Sequence, residues 1–139
     1  MTMTKTNEST ETYLKTIYLV KQKRGNVRAV DIANELGVSK PSVSIAVKKL
    51  CNEGFLSVDS NHNLILTDDG LKYADSIFER HVVIEAFLTD ILDIEKETAH
   101  IDACRLEHSL STETFNKIKE FLKESIYSAH RAQIQAFFQ

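Results

Sequence analysis

Tyr13, Leu14, Ile17, Tyr18, Leu19 and Val20 recur at the intervals of one helix face, which predicts an amphipathic helix over residues 9–23. Ser9 and Thr10 are its capping candidates, and Gly25 and Asn26 stop it. The same period returns over 28–36 through Val30, Ile32, Ala33 and Leu36, until Gly37 interrupts it. Ser39 then caps a third helix, with Pro41 in its first turn, running to about Asn52 with Gly54 beyond its end. In this reading Ile32, Ala33, Leu36, Val38, Val43, Val47 and Leu50 form the buried seam between the two helices. Ser39, Lys40, Ser42, Ser44 and Lys48 then stay outward.

Beyond Gly54 the pattern changes. Phe55–Val58 and Leu64–Leu66 are short β-prone runs separated by the turn formers Asp59, Ser60, Asn61 and His62. Thr67, with Asp68 and Asp69 behind it, makes an N-cap and an acidic first turn for a long helix reaching about Leu92. Two or three further helices are expected: Glu95–Ser109, one capped by Ser111 and running through Phe121, and a last one that Ser125–Phe138 can form, carrying Ile126, Tyr127, Ala132, Ile134 and Phe137. Helix, glycine-centred turn, helix and two-stranded wing make a winged helix-turn-helix, whose second member is offered to the DNA major groove. The expected fold is therefore mainly α: a winged helix-turn-helix DNA-binding domain over residues 1–68 and a helical domain over 69–139.

Charge sharpens this division. Residues 1–58 hold nine Lys/Arg against five Asp/Glu, a net +4, whereas residues 59–139 hold eight against fifteen, a net −7. A basic half can meet phosphate, and an acidic half can hold cations. Near the N-terminus of the third helix, Ser39, Lys40, Pro41, Ser42, Ser44 and Lys48 are the candidate DNA-binding residues, because helix N-termini and small hydroxyls approach phosphates closely. The hydrophobic share of 42% supports a packed core. No secretory signal and no apolar run of membrane-spanning length stand in the chain, so the expected location is cytoplasmic, with no membrane partner. In a reducing compartment Cys51 and Cys104 would remain thiols.

The candidate chemistry lies in the acidic half. His100, Cys104, Glu107 and His108 stand at i, i+4, i+7 and i+8, within an arc of about 100° on one helix face. His81 and Glu85, four apart on the preceding helix, form a second stripe that an antiparallel pairing would bring alongside. Taken singly, a His or Glu on a helix is usually solvated, and Cys104 would pass for core filler. Their coincidence points to a metal site. A thiolate donor favours Fe(II), Co(II), Ni(II) or Zn(II) over Mn(II).

At these residues the chain resembles the diphtheria toxin repressor family of iron- and manganese-dependent transcription regulators. TETYLKTIYLV, IANELGVSKPSVSIAVKKL, LTDDG, RHVVIEAFLTDIL and HIDACRLEHSLS carry the resemblance, from about Ser9 to Ser111. It implies a cytoplasmic homodimer that is not an enzyme: a metal-activated repressor of metal-uptake genes on a palindromic double-stranded operator. Cys104, Glu107 and His108 are implied for the activating site, and His81, Glu85 and His100 for an ancillary one. The metal implied is Fe(II) or Mn(II), with Fe(II) ahead; Zn(II), Co(II) or Ni(II) can serve in vitro.

The chain departs from the family pattern in three places. Thr12 stands where the iron type has methionine and the manganese type aspartate, leaving Glu11 and Thr12 as weak contributors, and Lys15 argues against a binuclear manganese site. With Gln139 as the last residue, the expected architecture is without the SH3-like third domain of the longer iron regulators and resembles the short manganese regulators. Ile45 replaces a base-reading glutamine. Two alternatives stay open: a winged-helix regulator answering thiol oxidation at Cys104 or a small ligand, and a metal-dependent hydrolase built on Cys104, Glu107 and His108.

Overall fold

Helix α1 (Lys5–Arg24) starts upstream of Ser9 and Thr10, so both lie inside the helix instead of capping it. The preceding run, Lys5 to Glu8, contains neither proline nor glycine to stop backward extension. The protein is described here by a computed structural model covering residues 5–137, with side chains over 9–125. The chain divides after Phe78 into two compact units.

In the first unit, α2 (Ala29–Leu36) ends at Gly37, whose φ of 65° places it in the left-handed region that glycine enters without strain. The turn delivers the chain into α3 (Lys40–Asn52), where the Ser39 side chain caps the helix by accepting from the Ser42 amide at 3.3 Å. Ile32, Ala33, Val43 and Leu50 are buried in the seam, and Leu36 and Val47 pack partly against it. Val38 does not join them: it is 37% exposed, because it lies in the turn and on the inner face of neither helix.

The wing is an antiparallel pair, β1 (Leu56–Val58) and β2 (Leu64–Leu66), in the register Leu56↔Leu66 and Val58↔Leu64. Asp59 organises its turn, accepting from the amides of Asn61 and Asn63 at 2.9 and 2.8 Å and from Asn63 Nδ2 at 3.1 Å. These bonds, those from Asn63 foremost, hold its carboxyl below the ordinary aspartate pKa. The Leu64 amide donates to the Val27 carbonyl, and Arg28 Nη2 to that of Asn61, tying the wing to the start of α2.

Thr67 caps α4 (Asp68–Ala86): its hydroxyl accepts from the Gly70 amide at 3.1 Å while donating to the Gly54 carbonyl at 2.6 Å. The first unit's core joins Leu14, Ile17 and Val20 of α1 to Ile32, Val43, Leu50, Leu56, Leu64, Ala74 and Ile77. α4 stays α-helical only to Ala86, short of the expected Leu92, and the chain then widens into a π-helical turn over Phe87–Ile91. Thr89 contributes by donating to the Glu85 carbonyl at 3.0 Å, a back-bond that loosens helices.

In the second unit α5 (Lys96–Leu106) is shorter than expected, with Glu107 as its C-cap and a turn following. Of the two or three further helices expected, two form: the segments after Ser111 run together as α6 (Thr112–Phe137), capped by Ser111 Oγ accepting from the Thr114 amide. Nothing between Phe121 and Ser125 is proline or glycine, so the helix has no reason to break. Ile126, Tyr127, Ala132, Ile134 and Phe137 lie outside the residues whose side chains are described, and Phe138 outside the described backbone. Ile84, Ala99, Ala103, Phe115 and Leu122 are buried in this unit.

Candidate functional site

Three elements of the second unit present the ligand-type side chains. α4 carries His81 and Glu85 one turn apart, α5 carries His100 and Cys104 one turn apart, and the turn after α5 carries Glu107 and His108. The single stripe expected for the last four is therefore split, since the helix ends at Leu106 and tightens to a bond from the His108 amide to the Arg105 carbonyl. The six residues nevertheless form a connected chain of contacts.

The two imidazoles meet edge to face, with centroids 4.9 Å apart. Each offers one nitrogen to a carboxylate and the other to the thiol. His81 Nε2 and His100 Nδ1 lie 2.9 and 3.5 Å from Glu85 Oε2. His81 Nδ1 and His100 Nε2 each lie 3.8 Å from Cys104 Sγ. His81 Nδ1 also stands 3.7 Å from Glu107 Oε2, and Glu107 Oε1 stands 3.4 Å from His108 Nε2. Ligand atoms of His81, His100 and Cys104 all fall within 4.8 Å of one another.

A divalent ion with bonds of about 2.0–2.3 Å spaces its ligand atoms roughly 3–4 Å apart. The donors fit such an ion in both spacing and chemistry. Because an imidazole ordinarily ligates through one nitrogen, Glu85 and Cys104 sit on opposite donor faces of the same two histidines. One face supplies N, N and O; the other supplies N, N and S. Burial is graded: Glu107, His108 and His81 are buried, Glu85 and Cys104 half-buried, and His100 exposed.

Glu11 and Thr12 belong to the first unit. Glu11 is buried there and accepts from the Tyr73 hydroxyl at 2.6 Å; the Thr12 carbonyl accepts from the Thr16 hydroxyl at 2.7 Å. Tyr73 and Arg80 are the residues that sequence reasoning missed. Arg80 Nη1 donates to the carbonyls of Glu107 and Leu110, and no spacing rule distinguishes it from a surface arginine except its place next to His81.

On the first unit, Ser39, Lys40, Ser42, Ser44 and Lys48 are exposed, as expected, and so is Pro41; all but Lys48 lie in the N-terminal half of α3 or at its cap. Ile45 stands among them, 71% exposed in the middle of the helix, where no core contact explains an apolar side chain. Cys51 is half-buried and packs against the first unit's core. Among the described residues no helix is long and apolar enough to cross a membrane.

Comparison with known proteins places both units. Residues 5–64 match the family model for the iron dependent repressor N-terminal DNA binding domain, and residues 67–136 match that for the iron dependent repressor metal binding and dimerisation domain. The chain is 31% identical over 119 residues to an HTH-type transcriptional regulator of Methanocaldococcus jannaschii, covering 85% of this chain and 95% of that protein. It is 32% identical over 117 residues to the diphtheria toxin repressor of Corynebacterium diphtheriae, covering 84% of this chain and 52% of the repressor. Among solved structures, the manganese regulator SloR superposes with a TM-score of 0.73 at 33% identity, over 82% of this chain and 53% of that one. The chain thus spans about half the length of the latter two.

Proposed function

Since the chain belongs to the iron-dependent repressor family, we propose that it is a metal-activated transcriptional repressor, a cytoplasmic homodimer binding a palindromic operator through α3 and the wing. The observation that carries this reading is the convergence of imidazole, carboxylate and thiol donors from α4, α5 and the following turn, inside the segment matched by the metal-binding and dimerisation model. Two domains are proposed, residues 1–68 for DNA and 69–139 for metal and dimerisation.

His81, Glu85 and His100 are proposed as one ligand group, through His81 Nε2, His100 Nδ1 and the Glu85 carboxylate. Cys104, Glu107 and His108 are proposed as the other, with Glu11 and Thr12 as weak contributors. When bound, a divalent ion supplies the positive charge that lets thiolate, carboxylate and imidazole donors share one geometry. Fe(II) is the favoured metal because Cys104 contributes a soft donor, with Mn(II) second, as in SloR. Zn(II), Co(II) and Ni(II) are expected to bind in vitro. The function follows from differential affinity: ligands that close around metal only in the DNA-competent form shift the population towards it.

At the DNA end, Ser39 caps α3 and leaves the helix N-terminus aimed outward, where amides and small hydroxyls meet phosphate while Lys48 adds charge. Both matched family models describe regulator domains, and neither supports the hydrolase alternative. The test is fluorescence anisotropy on operator DNA at one fixed salt concentration, with Fe(II), Mn(II), Zn(II) or Co(II) added anaerobically. Metal should tighten DNA binding by roughly 5- to 150-fold. Metal binding without any change in DNA affinity would sink the reading.

A further inference from the structure

We infer that Arg80 is a positioning residue that sets the geometry of the Glu107–His108 ligand pair. The inference rests on the metal reading above but concerns a residue that need not touch metal. Arg80 precedes His81 on α4 and is 9% exposed. Its Nη1 donates to the Glu107 carbonyl at 3.1 Å and the Leu110 carbonyl at 2.8 Å. Its guanidinium lies over the Phe115 ring, 5.1 Å from the centroid. Among the described residues no carboxylate pairs with it.

A buried guanidinium compensated only by carbonyls and a ring is costly, and a hydrophobic residue would ordinarily serve stability as well. The arrangement makes sense if its bonds define something. The carbonyls at the end of a helix lack intrahelical partners, and a cation there is favoured by the helix dipole. Arg80 satisfies one such group, the C-cap carbonyl of Glu107, and also the Leu110 carbonyl beyond it, so it brackets the turn that carries Glu107 and His108, whose side chains are only 1% and 4% exposed. Buried side chains on a pinned turn cannot choose their direction independently, so Arg80 Nη1, bonded to both carbonyls, decides where their donor atoms point. It also ties that turn to α4 beside His81, fixing the separation between ligands of the two groups. Outer groups that orient ligands in this way commonly matter roughly 10- to 100-fold in metal affinity.

The experiment titrates Co(II) into wild type, Arg80→Lys and Arg80→Gln, reading affinity, ligand-field bands and the thiolate-to-cobalt charge-transfer band, with thermal unfolding of each apo-protein alongside. Lysine keeps the charge, but its compact ammonium on a flexible stem has no planar face to rest on Phe115 and so does not hold its donors in one fixed place against the two carbonyls. Both variants should lose about tenfold or more in Co(II) affinity with shifted ligand-field bands, and Arg80→Lys should keep an apo Tm near wild type. Should the Arg80 variants fail to fold, Phe115→Leu removes the stacking surface alone and should still shift the bands. Folded variants with wild-type affinity and spectrum would overturn the inference and leave the metal reading standing. Failure of wild type itself to bind Co(II) would overturn both.

Discussion

Gly70 shows how much one residue can be asked to do. A Cβ built there would lie 1.9 Å from the Phe55 carbonyl oxygen, a backbone atom that cannot swing aside. The LTDDG run therefore has a structural meaning: Thr67 caps the helix and ties back to Gly54, and Gly70 lets β1's entry pass against α4. Gly70→Ala should cost about 3 kcal/mol, the upper end for overpacking, measured by urea unfolding. Asp59 makes a second prediction. Its carboxyl is held below the ordinary aspartate value, so its contribution to wing order is present above the unfolded pKa and lost as pH falls through the lower, folded one. Amide exchange of Asn61 and Asn63 should stay slow at mildly acidic pH and speed up only below the usual aspartate range. Cys104, 3.8 Å from both imidazoles, makes a third: Cys104→Ser should abolish the thiolate-to-cobalt band. An unchanged band would remove the thiol from the ligand set.

At the scale of elements, α3 has two separable duties. Val43 and Leu50 anchor it, whereas Ser42, Ile45 and Lys48 face outward. Ser39→Ala removes the cap bond to the Ser42 amide and should cost about 1 kcal/mol of stability, weakening DNA binding through fraying of the helix start. Ile45→Ala should leave Tm nearly unchanged, because an exposed side chain carries little burial energy, yet alter base preference if the side chain meets a thymine methyl. A selection experiment with randomised operators reads that change directly. Lys48→Ala should instead weaken all sequences about equally and lessen the salt dependence.

For the whole molecule, the prediction concerns assembly. Phe121, Ile101 and Leu92 of the second unit are each about half exposed, and Phe87, Ile91, Ile118 and Phe121 line one apolar groove. Apolar surface of this kind marks interaction sites, in line with the dimerisation domain this segment matches. Phe121→Asp should yield monomers in sedimentation velocity and weaken operator binding, while His100 and Cys104 still take Co(II). A dimer that persists in this variant would move the interface elsewhere on the unit.

Much of this was legible in the sequence because it depends on neighbours along the chain. The three- and four-residue periods, the caps at Ser39, Thr67 and Ser111, the turn at Gly37 and the wing at Asp59 all rest on interactions spanning a few residues. The same locality placed His81 beside Glu85 and His100 beside Cys104. Tertiary structure decided what locality could not. It chose which imidazole nitrogen faces Glu85 and which faces Cys104, and it ended α5 so that Glu107 and His108 turn inward. It also buried Arg80 across that turn. Those outcomes depend on atoms brought together from distant parts of the chain, and no periodicity encodes the direction of a side chain against a neighbour that folding has yet to supply.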